Sequence, residues 1–467
     1  MNEHPPDPAR KRGLTSRLLR PIAEVRDGES AGVLLLGLNL FLVLAAYYML
    51  KTVRESLILT QGGAEVKAYS AAGQAIMLLG LVPAFGAFAS RVNRIQLVRW
   101  VTLFFASNIV VFFVAGRLGA VISVPYFLWV GIFNVMVIAQ FWAFANDLYS
   151  PEQGKRLFPI VGLGSSLGAW VGSMYAGRVI RVTGPYPLML IAGVVLVLCV
   201  IVASLVERRM RSRDHAAPET KPLASVGGYT LIRQQRYLML VALMVVLLNV
   251  VNSSGEYLFG RLIVAEATRL YGAGPGSLQV RQSFIGGTYG TFFSYVNLLG
   301  FLFQLFVVSR VFKYLGVERA LLIHPTVALA GYLAILKTPA LGTIKWFKVL
   351  DNSLDYSLGN TAKQALWLPT SREAKYKAKQ VVDSLCMRAG DVVQAGIVFA
   401  GERLAFTFET FAWVNVVLSL AWIGTVAALK PAYRNTLASS RQAAAEAAEG
   451  DTARPPIAAR PATSNAS

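Results

Sequence analysis

Apolar stretches of membrane-spanning length recur along this chain from Ala31 to Leu429, and nothing else in it constrains the fold as strongly. A hydrocarbon core about 30 Å thick takes roughly 20 apolar residues of α-helix. That window places spans at residues 31–58, 68–89, 97–116, 121–145, 157–180 and 186–206 in the first half. In the second half it places them at 238–265, 288–311, 320–336, 341–366, 381–401 and 406–429, the tenth and eleventh being the least hydrophobic. Composition agrees: 55% of the 467 residues are hydrophobic and 15% are charged, where a soluble domain carries roughly a quarter charged.

The loops test this count of six plus six. With a cytoplasmic N-terminus, alternate loops carry the Lys and Arg excess: Arg91, Arg94 and Arg99; Lys155 and Arg156; Arg208, Arg209, Arg211 and Arg213; Arg310, Lys313 and Arg319; Arg372, Lys375, Lys377 and Lys379. The opposite loops are short and poor in basic residues, apart from Arg117, Arg178, Arg181, Lys337 and the stretch 266–282. The first apolar run starts about thirty residues in, is too long for a signal-peptide core and lacks a small-residue cleavage site, so it reads as a retained span. The expected organisation is a basic cytoplasmic N-terminus (1–30), a first six-helix bundle (31–206), a polar cytoplasmic linker (207–237), a second six-helix bundle (238–430) and a disordered cytoplasmic tail (431–467). Ser90-Arg91-Val92 after the second span and Ser309-Arg310-Val311 after the eighth echo one another, as in a duplicated bundle.

Several functions are excluded. The net charge of +20 lies mainly in short loops rather than along a stripe, which argues against nucleic acid as a partner. Cys199 and Cys386 fall in spans and suggest neither a disulfide nor a metal site, and His4, His215 and His324 assemble no His-based site. Gly162-Leu-Gly164-Ser-Ser-Leu-Gly168 mimics a dinucleotide turn but has no preceding strand, and small residues in a span let helices approach closely. No P-loop, HExxH, CxxC or nucleophile elbow occurs, so neither an enzyme nor a cofactor is expected.

Charged residues inside spans are the candidate site, because each costs at least ~2.5–3.5 kcal/mol near the bilayer centre unless it faces a cavity or a partner. Lys51, Arg54 and Glu55 end the first span; Lys51 and Glu55 share a face four residues apart. The alternative for them is snorkelling to an interface. Asn146, Asp147, Lys155 and Arg156 flank a hairpin that is either an ordinary charged turn or a gate closed by ion pairs. Glu256 lies deep in the seventh span with Asn249, Asn252 and Ser253 at helical spacing, which suits a polar cavity. Lys345, Lys348, Asp351 or Asn352, and Asp355 make a polar stripe on the tenth span, followed by Thr361 and Lys363. Asp383, Arg388, Asp391 and Gln394 continue it on the eleventh. Local pairs such as Lys348–Asp351 would also account for the stripe.

At these residues the chain resembles the ATP/ADP antiporters, the nucleotide transporters of obligate intracellular bacteria and plastids with a major-facilitator-like fold. Three stretches carry the match: YMLKTVRESLIL (48–59), FWAFANDLYSPEQGKRLFPIVGLGSSLG (141–168) and DYSLGNTAKQALWLPTSREAKYKAKQVVD (355–383). The middle one is close to the family's FWGFAN…EAKRFYPLFGLG and is the most specific. The resemblance covers roughly residues 30–430. It implies an all-α integral membrane protein of about twelve helices in two bundles, working by alternating access in a bacterial inner membrane with both termini cytoplasmic. It implies a nucleotide or related phosphorylated anion as substrate, held by Arg54 (or Lys51), Glu256 and Lys363. Glu55, Asn146, Asp147, Lys155, Arg156, Asp355, Asp383 and Arg388 are then candidates for coupling or gating. The chain departs from the family where FDPTKE becomes Gly359-Asn360-Thr361-Ala362-Lys363-Gln364, where an acid gives way to an apolar residue near Val130, and where Asp355 replaces a base. Two other classes stay open on the residues alone: a proton-coupled carrier titrating Glu256 or Asp355, and a non-transporting scaffold or receptor. The bilayer is a partner in every case, and the oligomeric state is left unassigned.

Overall fold

The computed structural model describes residues 25–26, 29–89, 91–210 and 228–452. Most of the expected N-terminal segment, the centre of the linker and the end of the tail lie outside the described residues. The long helices are α1 (Ser30–Gln61), α2 (Gly63–Ala89), α3 (Arg94–Arg117), α4 (Ser123–Leu148), α5 (Pro151–Thr183), α6 (Pro185–Met210), α7 (Arg236–Tyr271), α8 (Leu278–Phe306), α9 (Val308–Lys337), α10 (Leu341–Leu354), α11 (Met387–Arg403) and α12 (Phe408–Thr452). There is no strand among the described residues. Among the described residues nine helices are long and apolar enough to cross a membrane. The count of twelve rests on three more polar stretches: α8, the run from Leu341 to Ala365, and the run from Ala374 to Arg403. The last two are interrupted by π-helical turns at Asp355–Gly359, Ala374–Ala378 and Val382–Cys386. Such turns insert a residue and re-aim the side chains beyond them.

Local chemistry sets several boundaries. Ser150 starts α5 with a reciprocal capping box: its hydroxyl accepts from Gln153 N at 3.3 Å, and Gln153 Oε1 accepts from Ser150 N at 3.1 Å. In α9, Gly316 at φ 73° breaks the helical run and kinks it, so the helix reaches further back than the expected ninth span. Helix α12 continues to Thr452, well into the tail expected to be disordered from residue 431. The stretch ASSRQAAAEAAE is rich in Ala, Gln, Glu and Arg, all strong helix formers that let the backbone continue without apolar burial.

In the first half α1 is the central helix, packed on α4, α5 and α6; in the second, α7 and α9 pack on α12, and α7 on α10 and α11. The halves meet along α5–α8 and α1–α8 on one side and along α2–α11 and α2–α7 on the other. Large apolar side chains such as Trp100, Phe88, Val111, Val194 and Val417 stand exposed on the outside, as lipid contact requires. Within the bundle, polar and charged side chains face inward. The protein is a multi-pass membrane protein.

Close approach of helices depends on small residues, since lipid gives apolar side chains no reason to associate. Gly164, Gly168 and Gly172 of α5 lie one turn apart against the backbone of Gly37, Phe41 and Ala45 in α1. At the α5–α8 crossing Gly177 faces Gly290: a Cβ on Gly177 would stand 2.9 Å from the amide nitrogen of Thr291. Replacing Gly177 with Ala is therefore expected to lower the stability of the purified protein by about 1–3 kcal/mol, read as a fall in Tm. Gly162→Ala, which meets no atom within 4 Å, is expected to raise it slightly through helix propensity.

Candidate functional site

Helix α1 is 32 residues long and carries Lys51 about 15 Å short of its C-terminal end, at 1.5 Å per residue. We call the end of the bundle holding the α1–α2 turn at Gly62 the distal end, and the one holding the start of α1 the proximal end. A cavity of about 240 Å³ opens between the halves at this level. The first half lines it with Lys51, Arg54 and Glu55 from α1, Lys67 and Gln74 from α2, and Phe127 from α4. The second half supplies Asn252, Ser253, Glu256 and Tyr257 from α7, Phe293 from α8, Asn352 from α10, Tyr356 from the π-turn and Gln394 from α11.

Three cations and two carboxylates meet here. Arg54 donates to the Glu55 carboxylate through Nε at 3.0 Å and through Nη2, and its guanidinium lies over the ring of Phe127 at 4.5 Å. Glu55, 1% exposed, takes a second ion pair from Lys67 at 2.7 Å. Lys67 reaches across to Glu256 at 3.6 Å and to the Tyr289 hydroxyl at 3.4 Å. Glu256 also accepts from Asn352 Nδ2 at 3.1 Å. Among the described residues Lys51 has no carboxylate within 4.0 Å; its ammonium rests on the faces of Phe293 (4.3 Å to the centroid) and Tyr48 (5.4 Å). Gln394 Nε2, also buried at the wall, has no hydrogen-bond partner among the described residues.

The stripe on α10 divides in two. Asn352 faces the cavity, whereas Lys348 is wholly buried in the second half. Its Nζ meets Asp351 at 2.8 Å and donates to Asn252 Oδ1 at 2.6 Å, and Asp351 also meets His324 Nε2 at 3.0 Å. His324 is thus part of a buried polar group, although its position in the chain suggested no partner. Lys345 is not at the cavity wall. Asp391 accepts from Asn249 Nδ2 (2.8 Å) and Ser253 Oγ (3.1 Å), with Arg388 one turn earlier.

The remaining candidates lie elsewhere. Lys363 and Asp355 pair with one another at 3.4 Å, below the cavity and outside its lining. Asp383 is exposed and pairs with Lys379. Asn146, Asp147 and Lys155 are exposed at the proximal end. Arg156 instead binds Glu29, which precedes α1, at 3.0 and 3.2 Å. Neither Glu29 nor Lys67 stands out in the sequence. Glu29 lies in the polar leader, and Lys67 sits just before the expected second span because α2 begins five residues earlier than its apolar run. At the distal end Tyr257 donates to Glu402 (2.9 Å), Glu65 lies 3.3 Å from the same hydroxyl, and Arg261 is within 4.0 Å of both carboxylates, so α2, α7 and α11 are tied across the halves.

The two-bundle helical fold is shared by solved structures of membrane transporters. A peptide transporter, POT, superposes with a TM-score of 0.62 at 12% identity, over 90% of this chain and 99% of that one. A bacterial homologue of the iron transporter ferroportin in its inward-facing state gives 0.58 at 15% identity, over 84% and 98%. By sequence the chain is similar to curated proteins named ADP,ATP carriers. It is 23% identical over 363 residues to ADP,ATP carrier protein 4 of Rickettsia conorii, covering 66% of this chain and 67% of the relative. It is 21% identical over 361 residues to carrier protein 1 of Chlamydia muridarum, covering 67% and 65%. The chloroplastic carrier protein 1 of Arabidopsis thaliana is 21% identical over 367 residues, covering 72% and 57%. No family model matches the chain.

Two expectations follow from the buried charges. Removing one member of a buried ion pair leaves its partner uncompensated, at a cost of about 3–5 kcal/mol, so Lys348→Ala is expected to lower the Tm of the purified protein sharply. At Glu29, burial works to raise the carboxyl, but hydrogen bonds from Arg156 and from the Arg26 amide outweigh it and hold the pKa below its ordinary 4.5. A carboxylate with a depressed folded pKa stabilises the fold fully above its unfolded value and loses that contribution as pH falls through the folded one. Wild type should therefore lose more thermal stability than Glu29→Gln between pH 7 and pH 4, a difference that thermal melts at the two pH values measure directly.

Proposed function

We propose that this protein is a secondary transporter that exchanges nucleotides, or closely related phosphorylated anions, by alternating access. The observation that carries the reading is Lys51, an ammonium in the inter-bundle cavity that rests on aromatic faces without a carboxylate of its own. Together with Arg54 and Lys67 it supplies charge-assisted donors to phosphate oxygens. Gln394 Nε2 adds an uncommitted neutral donor, and Phe127 and Phe293 at the wall offer rings for a base. The relatives' names point to the same anions. Glu256 and Asp355, the groups a proton-coupled carrier would titrate, are both paired, with Lys67 and Asn352 in one case and Lys363 in the other.

The orientation follows the charge bias of the loops, with the proximal end and both termini in the cytoplasm and the membrane a bacterial inner membrane. Lys363 and Asp355 then lie on the cytoplasmic route to the cavity, where the lysine meets the anion in transit rather than at its resting place. Asp147, Lys155 and Arg156 flank the same entrance.

Labelled ATP uptake into proteoliposomes loaded with ADP, other nucleotides or phosphate tests the reading. Counterflow is expected only with a phosphorylated anion inside. Lys51→Ala is expected to reduce it about tenfold or more, the loss of one charge-assisted contact being worth ~1.5–3 kcal/mol. Lys363→Ala is expected to slow uptake while raising the half-saturating concentration less than Lys51→Ala does. Uptake that proceeds at full rate into empty vesicles, or none from any nucleotide, would refute exchange.

A further inference from the structure

Lys67 occupies a position that no other cavity cation shares. It belongs to α2 of the first half, yet its ammonium stands between Glu55 of its own half at 2.7 Å and Glu256 of the other at 3.6 Å. Tyr289 of α8, also in the second half, completes its surroundings at 3.4 Å. Arg54 is bound within α1 itself and Lys51 has no carboxylate, so among the described residues Lys67 alone makes an ion pair across the halves at the cavity wall. The other cross-half ion pair among the described residues, Arg261 with Glu65, lies further toward the distal end, and Arg261 does not line the cavity.

We propose that Lys67 is the residue through which an anion in the cavity controls movement of the two halves. With the cavity empty, the Lys67–Glu256 pair ties α2 to α7 and holds the distal side shut. A phosphate oxygen entering beside Lys51 offers Lys67 a stronger partner than the 3.6 Å contact. The ammonium moves onto the substrate while Glu55 keeps its hold, and Glu256 stays with Asn352 alone. The inter-half tie is then replaced by contacts to a mobile ligand, and the halves rock with the substrate between them. An empty carrier that keeps its tie reorients slowly, which makes transport an exchange. This rests on the reading of the cavity as an anion site. It adds to that reading the coupling residue and the pair that binding breaks, and it follows from a ligand's preference for one of two states.

The test uses the full-length protein with Glu256→Gln, which keeps an oxygen for Asn352 but removes the charge that attracts Lys67, and in parallel Lys67→Gln. In vesicles loaded with labelled ATP, the readout is the ratio of efflux into nucleotide-free buffer to efflux into buffer containing ADP. Wild type is expected to give a low ratio, and Glu256→Gln to raise it about fivefold or more, the scale of a modest coupling free energy. An unchanged ratio in an exchanging variant overturns the proposal.

A second readout needs no substrate. Spin labels at Leu118→Cys and Leu404→Cys, exposed distal positions on opposite halves, are placed in a Cys199→Ser/Cys386→Ser background. They report the distal separation in ligand-free protein. Glu256→Gln and Lys67→Gln are each expected to populate a longer distance, and an unchanged distribution in both overturns the tie. If the distance lengthens while wild type exchanges no nucleotide, the tie stands and the choice of substrate falls.

Discussion

Placing charge inside hydrocarbon sets the terms for this molecule. Each ionised side chain at membrane depth costs at least ~2.5–3.5 kcal/mol unless it finds a partner, yet Lys51, Arg54, Glu55, Lys67 and Glu256 gather around one cavity. They are tolerable only because the helices that carry them come close enough for Arg54 and Lys67 to share one carboxylate and for Lys67 to approach a second across the midline. That proximity rests on the backbone contact of Gly177 with Gly290 and of the α5 glycine ladder with α1. Small residues at the crossings and charges at the centre are one design, since a wider crossing would leave the acids of one half out of reach of the bases of the other.

Two charged centres solve the same problem differently and lie next to each other on α10. Lys348, Asp351 and His324 are sealed in the second half and satisfy one another, a rigid arrangement that argues for structure rather than transport. The cavity group is more exposed, and its tie between Lys67 and Glu256 is longer, at 3.6 Å. The two are joined by amides. Asn252 lines the cavity while its Oδ1 accepts from Lys348, and Asn352, adjacent to Asp351, donates to Glu256. The buried group therefore fixes the rotation of α7 and α10, and with it which polar edge each asparagine turns toward a ligand.

Much of this was legible from the amino-acid sequence because charges inside apolar runs stand out. Lys51, Arg54, Glu55 and Glu256 were visible for that reason, and all four line the cavity. The run pattern gave the order of the helices, and the relation to the ADP,ATP carriers was visible in the stretches around Lys51, Phe141 and Lys363. Lys67 was not visible, since a lysine just outside an apolar window reads as a loop residue; only a helix starting at Gly63 turns it inward. The α10 stripe announced polarity but not its division. Whether Lys348 or Asn352 meets the cavity depends on a rotation that tertiary packing sets. Asp355 opens a π-helical turn and Lys363 follows it, and no apolar periodicity encodes that turn's extra residue. The continuation of α12 was missed because polarity was read as disorder, although an alanine-rich polar stretch is also a good helix.

The strengths of the inter-half ties are graded in the way a two-sided carrier needs. At the distal end the Arg261–Glu65 pair, with side chains about a third exposed, stands 4.0 Å apart across the halves. Exposed pairs of that kind contribute about 0–1 kcal/mol, enough to favour closure without making opening slow. The Lys67–Glu55 pair is shorter, with Glu55 buried, and it lies within one half, where nothing need part during rocking. Among the described residues only the 3.6 Å Lys67–Glu256 contact is both at the cavity wall, its side chains 12% and 23% exposed, and across the boundary. A tie at that place has to be loose enough for a phosphate oxygen to compete for the ammonium and sheltered enough to count when the cavity is empty. A closer contact there would hold the carrier shut against its substrate, whereas a more exposed one would be screened too strongly to restrain the empty form.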